Sequence, residues 1–130
     1  MSVVLVDTSA WIAFFRGDRA AKQRIDPLLE ADAVAVCGPV YAELVSGAPM
    51  PAQLRALAEH LRGLDWLDPA DAIWDRIANT RFALARAGKQ AAVLDLFIAL
   101  TAADHGAELL TRDRDFLDIA EFLPLHVTRF

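Results

Sequence analysis

Four carboxylates stand apart from the other acidic residues of this chain, 18 in all, because of the company they keep. Asp7 ends the apolar run Val3-Val4-Leu5-Val6. Glu43 lies in Val40-Tyr41-Ala42-Glu43-Leu44-Val45, apolar on both sides. Asp95 interrupts Ala91-Ala92-Val93-Leu94-Asp95-Leu96-Phe97-Ile98-Ala99-Leu100. Asp113 follows Leu109-Leu110-Thr111. Taken singly, each has a plain structural explanation: an Asp after a strand caps a helix, and a Glu on a short helix faces water. Taken together they pose an energetic problem. Each ion removed from water carries an effective penalty of several kcal/mol, so four unpaired anions would rival a domain's whole stability of roughly 5–15 kcal/mol. Clustering adds repulsion and raises pKa values. Divalent cations remove both difficulties. An oxygen-only donor set points to Mg²⁺ or Mn²⁺ rather than zinc; Cys37 is the only cysteine, and His60, His105 and His126 are isolated.

The elements that must position these residues alternate between strand and helix. Val3-Val4-Leu5-Val6 reads as a strand buried on both faces, as in a parallel sheet, with Thr8 and Ser9 available to cap the helix expected over residues 10–16. Trp11, Phe14 and Phe15 form one apolar stripe of that helix. Asp18 is placed to cap a second helix over 19–30, basic at its start through Arg19, Lys22 and Arg24. Residues 33–37 read as a second buried strand. Gly38-Pro39 ends it and opens a short helix over 40–46 that carries Glu43. After a loop at 47–51, residues 52–64 are amphipathic. Trp66-Leu67 reads as a short strand, and Pro69 is expected to open a helix running to about residue 86, with Ile73, Trp74, Ile77, Phe82 and Leu84 making a broad apolar face and Gly88 closing it. A helix over about 92–104 leads to a third buried strand at 108–111. A helical turn at 116–120 and a last strand at about 125–127 follow.

This alternation predicts one α/β domain over residues 1–130, built on a mostly parallel sheet of four or five strands with helices on both faces. In such a sheet Asp7 and Asp113 emerge at the same edge, where open α/β folds bind ligands. Glu43 leaves the second strand from that edge. Asp95, near the start of a helix feeding the third strand, is expected beside them.

Composition narrows the function classes. The chain is 55% hydrophobic, which excludes disorder, and its length suffices for a single core. A net charge of −5 and a pI of about 5.0 give no overall attraction for nucleic acid, so any such contact must be local or mediated by cations. One cysteine excludes an internal disulfide. With no signal-peptide pattern at the start and no apolar run long enough to span a bilayer, a cytoplasmic protein is expected.

Val3-Val4-Leu5-Val6-Asp7-Thr8-Ser9, then Glu43, then Asp95-Leu96-Phe97-Ile98-Ala99, then Leu110-Thr111-Arg112-Asp113-Arg114-Asp115-Phe116 resemble the PIN-domain nucleases. In length and order the chain looks most like the VapC toxins of bacterial and archaeal toxin–antitoxin pairs. The resemblance implies a metal-dependent endoribonuclease in which Asp7, Glu43, Asp95 and Asp113 hold one or two Mg²⁺ or Mn²⁺ ions. These would lower the pKa of a bound water and steady the leaving oxygen during in-line attack on a phosphodiester, giving 5′-phosphate and 3′-hydroxyl products. It implies auxiliary roles for Thr8, Ser9 and Thr111 in orienting carboxylates or water. Asp115 can add a ligand through water, although capping the turn at Phe116 is the simpler role. It further implies a cognate antitoxin protein whose peptide enters a groove near the Trp11–Phe15 stripe, contact with DNA only through that antitoxin, and a homodimer. Residues from about 49 to 90 carry no matched motif.

Arg16, Arg19, Lys22 and Arg24, with Arg112 and Arg114 beside Asp113, are the candidate grips for RNA phosphates, against a default of solvated helix surface. Two other readings compete with the nuclease. Phosphotransfer enzymes resembling the haloacid dehalogenases need a second Asp two residues after the first, where Ser9 stands here, and receiver domains need adjacent acids and a later Lys. A catalytically silent module of the same fold has no support from the acids, all four of which are present.

Overall fold

The computed structural model describes residues 3–130. Among the described residues, the order is β1 (Val4–Val6), α1 (Thr8–Phe15), α2 (Arg19–Glu30), β2 (Val34–Val36), α3 (Gly38–Ser46), α4 (Pro51–Arg62), β3 (Asp65–Trp66), α5 (Ile73–Arg86), α6 (Val93–Asp104), β4 (Glu108–Thr111), α7 (Asp115–Ala120) and β5 (Val127–Arg129). The five strands form one sheet in the order β3-β2-β1-β4-β5, every neighbouring pair parallel. Chain order runs outward from β1 to β3, then returns past β1 to β4 and β5. Right-handed crossovers therefore put α1–α4 on one face and α5–α7 on the other. The direction reverses between β1 and β4, and their C-terminal ends flank the crevice that such a reversal opens.

The central strands are buried as their β-branched and aliphatic composition requires: Leu5, Val6, Val34, Ala35, Val36, Leu109 and Leu110 are all core residues. α6 is the central helix. Leu96 through Ala102 are buried without interruption, the pattern of a helix enclosed on all sides. This explains why the sequence around Asp95 shows an apolar run rather than a stripe. No helix among the described residues is long and apolar enough to cross a membrane.

Three sequence expectations need correction. α5 begins at Ile73, not at Pro69. The chain leaving β3 turns through Ala72, whose φ of 59° is left-handed and incompatible with a helix passing through it. The face of α5 is also narrower than its apolar residues suggest. Ile73, Ile77 and Leu84 are buried, whereas Trp74 and Phe82 are 62% and 64% exposed. The last strand lies at Val127–Arg129, two residues later than expected, because its pairing partner is β4 with Thr111 opposite Arg129.

Candidate metal centre

The centre is assembled by strand register. Val6 pairs with Leu110, so the next residue of each strand, Asp7 and Thr111, stand side by side where the sheet ends. Both are buried, Asp7 to 4% exposure and Thr111 to none. The Thr111 hydroxyl donates to Asp7 Oδ2 at 2.7 Å, the Ser9 hydroxyl donates to Asp7 Oδ1 at 2.7 Å, and the Ala10 amide donates to Oδ1 at 3.0 Å. Asp7 is thus the N-cap of α1; Thr8 and Ser9, expected to cap it, are the helix's first two residues. A carboxylate offers about four lone-pair positions. Three are taken, and the one left, on Oδ2, is free for a cation. Burial pushes the Asp7 carboxyl above its ordinary value; the three hydrogen bonds oppose this, and the nearby Asp113 charge adds to it.

The two hydroxyls are fixed by proton accounting. Each spends its only hydrogen on Asp7. Ser9 Oγ then accepts the Arg112 amide at 3.0 Å, and Thr111 Oγ1 accepts the Asp113 amide at 2.9 Å. Ser9 and Thr111 therefore hold both Asp7 and the chain leaving β4. Asp113 continues the pattern by accepting the Asp115 amide on Oδ1 at 2.9 Å. This pair of local side-chain turns folds the segment so that Asp115 comes alongside Asp113.

Asp95, Asp113 and Asp115 each present an oxygen, and these three atoms lie within 4.8 Å of one another. Asp115 is expected chiefly as a cap; it is instead the first residue of α7, a helix whose N-cap Arg114 makes no side-chain cap bond, and its carboxylate lies in the acid cluster. Asp-x-Asp directly after a strand is the pattern that marks it. Asp95 sits in the first turn of α6, with no side-chain cap bond on that helix. It is half-buried. Desolvation, followed by the charges of Asp113, Asp115, Asp7 and Glu43, pushes its carboxyl up to about 6. All four other acids therefore act on this one position. Glu43 stands at the margin: it is exposed on α3, accepts the Thr8 hydroxyl at 3.1 Å, and lies outside the tight trio.

Among the described residues, no Lys, Arg or His lies within ion-pair distance of Asp7, Glu43, Asp95, Asp113 or Asp115. Two like charges 4.8 Å apart repel by roughly 3 kcal/mol at an effective dielectric of about 20. Oxygens opposite each other across Mg²⁺ are about 4.2 Å apart, from bond lengths near 2.1 Å. Of three such oxygens at most one pair can stand opposite, the others being adjacent at about 3.0 Å, so the trio must draw together to share one ion; the donor set is wholly oxygen. These residues fit a hard divalent cation.

Some of the expected basic grips come together: Arg16 and Arg112 line one hollow with Ser9 and Asp18, and Arg24 and Arg112 face the same Phe130 ring. Arg112 pairs with Asp18 at 3.5 Å and lies over the Phe130 ring at 5.2 Å. Lys22 covers Phe14 at 4.8 Å and Arg24 covers Phe130 at 5.9 Å. Arg16, Arg19 and Arg114 are exposed. Of the aromatic stripe, Trp11 is core, while Phe15 is 51% exposed and lines, with Ile12, Arg16, Glu43 and Leu57, a groove of about 640 Å³. A second groove of about 800 Å³ runs from Asp115 past Ala91 and Lys89 to Arg81 and Phe82. Most of its lining, Ala78 to Gln90, comes from the segment in which the sequence shows no motif; Ala91, Ala92 and Asp115 complete it.

The PIN domain family profile matches residues 4–122. Ribonuclease VapC11 of Mycobacterium tuberculosis is 36% identical over 98% of this chain and 99% of its own length, and the VapC ribonuclease Mb1587 of Mycobacterium bovis matches to the same extent. Among solved structures, a VapBC-5 toxin–antitoxin protein from Mycobacterium tuberculosis superposes with a TM-score of 0.71 at 27% identity, covering 100% of both chains. VapBC-1 from nontypeable Haemophilus influenzae reaches 0.78 at 23% identity over 98% of this chain and 97% of its own, a likeness of fold. On the sequence match over nearly its whole length, this chain belongs to the PIN-domain family and stands with its VapC members.

Proposed function

We propose that this protein is a Mg²⁺- or Mn²⁺-dependent endoribonuclease, a single nuclease domain over residues 1–130, acting as the growth-inhibiting toxin of a toxin–antitoxin pair. The observation that carries this reading is an acid cluster without a cationic side chain in ion-pair distance among the described residues, Asp95–Asp113–Asp115, at the sheet's reversal point, with Asp7 and Glu43 acting on it. Its support is a chain 36% identical to proteins named as VapC ribonucleases. Asp7, Asp95 and Asp113 are the proposed metal ligands, with Asp115 joining them directly or through water and Glu43 closing the far side. The cations, when bound, supply a water of lowered pKa and neutralise charge developing on the phosphodiester.

The chain's own residues do the rest. Ser9 and Thr111 hold Asp7 in one rotamer with one Oδ2 lone pair open. Asp95 must lose its proton for the site to fill, and its raised pKa makes cation uptake rise with pH through about 6. Thr8 holds Glu43 at the margin. Water adds to phosphorus and the bond to the 3′ oxygen breaks, leaving a 3′-hydroxyl upstream and a 5′-phosphate downstream. The groove walled by Phe15 and Leu57 and bordered by Glu43 suits the peptide of a cognate antitoxin, DNA being reached only through that partner. A homodimer and a cytoplasmic location complete the reading.

The test is direct. Purified protein should cut RNA with Mg²⁺ or Mn²⁺ and stop with a chelator, and Asp7→Asn or Asp95→Asn should abolish cutting while circular dichroism stays unchanged. Full activity in both variants refutes the assignment.

A further inference from the structure

The groove that starts at Asp115 has chemistry of its own. Its floor and walls include Ala91, Lys89, Arg81 and Phe82, and its volume of about 800 Å³ falls within the rough 300–1,000 Å³ range of small-molecule sites. The chain is acidic overall, yet Arg81, Arg86 and Lys89 fall within one short stretch. Arg81 donates Nε–H to the Ala91 carbonyl at 3.0 Å. That bond pins the guanidinium at the groove wall, and its four Nη–H donors have no protein acceptor among the described residues. Phe82 is 64% exposed, with the Arg86 guanidinium 5.5 Å from its ring centre. Lys89 pairs with Asp118 at 3.2 Å across a half-exposed rim. An apolar partner seated here would strip water from Arg81 and Lys89 without replacing their hydrogen bonds, at considerable cost. A polyanion carrying flat rings would satisfy both the cations and the ring.

We propose that this groove is the subsite for the single-stranded RNA next to the scissile phosphate, with Arg81 contacting a backbone phosphate through its Nη groups and Phe82 stacking a base. The proposal rests on the nuclease reading above and adds the residues that position the strand. Arg81 is pre-oriented by its bond to Ala91, so little rotamer freedom is lost on contact. Stacking on an exposed ring is tolerant of base identity, which suits a groove that positions a strand without reading its sequence.

The test uses a short fluorescein-labelled single-stranded RNA and the full chain carrying Asp95→Asn to prevent cleavage. Arg81→Gln and Phe82→Ala should each weaken binding about tenfold by anisotropy. Arg81→Gln should also reduce the slope of log affinity against log salt by about 0.7, the loss of one phosphate contact on a single strand. Arg55→Gln, the same charge change on α4, should leave both unchanged. In the cleavage-competent chain, Arg81→Gln should raise KM about tenfold with kcat within about twofold, the signature of lost uniform binding. Unchanged affinity and salt slope in both Arg81→Gln and Phe82→Ala overturns the proposal, as does an equal fall in all three variants. If the two substitutions leave RNA binding intact but change the protein's mass in solution, the groove is a protein interface and the proposal fails. Absence of cleavage by the unsubstituted chain would instead sink the nuclease reading, so the two failures are separable.

Discussion

In a chelating buffer, replacing Asp95 by Asn should make the protein more stable. Burial and four neighbouring acids hold the Asp95 carboxyl at about 6 against an ordinary 3.8. Below pH 3.8 the residue is protonated in both folded and unfolded chains and contributes nothing. Between 3.8 and about 6 the unfolded chain releases this proton more readily than the folded one, so the folded state loses stability as pH rises. Above about 6 the whole penalty is present. At 1.36 kcal/mol per pKa unit the interval corresponds to about 3 kcal/mol. Asp95 is only half-buried, and solvent screening reduces this to roughly 1–2 kcal/mol. Asn keeps the size and polarity but carries no charge. Urea denaturation with EDTA should therefore find Asp95→Asn more stable than the parent by roughly 1–2 kcal/mol at pH 8, with the gap closing toward pH 4. Mg²⁺ should reverse the order. At a hundred times its dissociation constant an ion adds about 2.7 kcal/mol to a competent site, and the Asn variant should gain far less. A parent chain as stable as Asp95→Asn at pH 8 in EDTA, or equal gains from Mg²⁺ in both, would refute the account of the acid cluster. Neither measurement depends on RNA cleavage.

Three further outcomes follow from the same geometry. Thr111→Val removes the donor to Asp7 Oδ2 and the acceptor of the Asp113 amide; it should cost about 1–3 kcal/mol, more at pH 8 than at a pH below the ordinary Asp value of 3.8, where Asp7 is protonated in folded and unfolded chains alike and the hydroxyl no longer faces an anion, whereas Thr111→Ser should recover most of the loss. Thr101 is fully buried in α6 with no hydrogen-bond partner for its hydroxyl among the described residues; Thr101→Val should raise stability by about 1 kcal/mol, read as a melting temperature higher by about 4 °C. Cys37 is buried and its thiol is pushed up to about 11, by desolvation above all and also by Glu43 and Asp7; iodoacetamide at pH 8 should leave it unmodified until denaturant is added, and rapid alkylation of the native protein would contradict its placement.

What could be read from residues alone was whatever depends on local pattern. Runs of buried aliphatic residues marked β1, β2 and β4, and a carboxylate ending or interrupting an apolar run was recognisable because an unpaired charge there is costly. The parallel alternation by itself puts Asp7 and Asp113 on one edge. Periodicity failed where two faces of a helix are apolar for different reasons. In α5, Ile73, Ile77 and Leu84 enter the core while Trp74 and Phe82 face outward, and only the packing of that helix separates the two sets. The turn at Ala72 was equally invisible, since alanine carries no preference for a left-handed φ.

Tertiary structure alone decided which acids meet. The register Val6 to Leu110 sets Thr111 against Asp7, a relation between residues far apart in sequence that no local signal encodes. Two successive side-chain turns, Thr111 to Asp113 and Asp113 to Asp115, carry the Asp115 carboxylate into the cluster, while Glu43, equally prominent in the sequence, is left at the margin with Thr8. Residue type establishes that a charge must be compensated; distance in three dimensions establishes with what, because Coulombic and coordination energies depend on separations of a few ångströms that chain order does not specify.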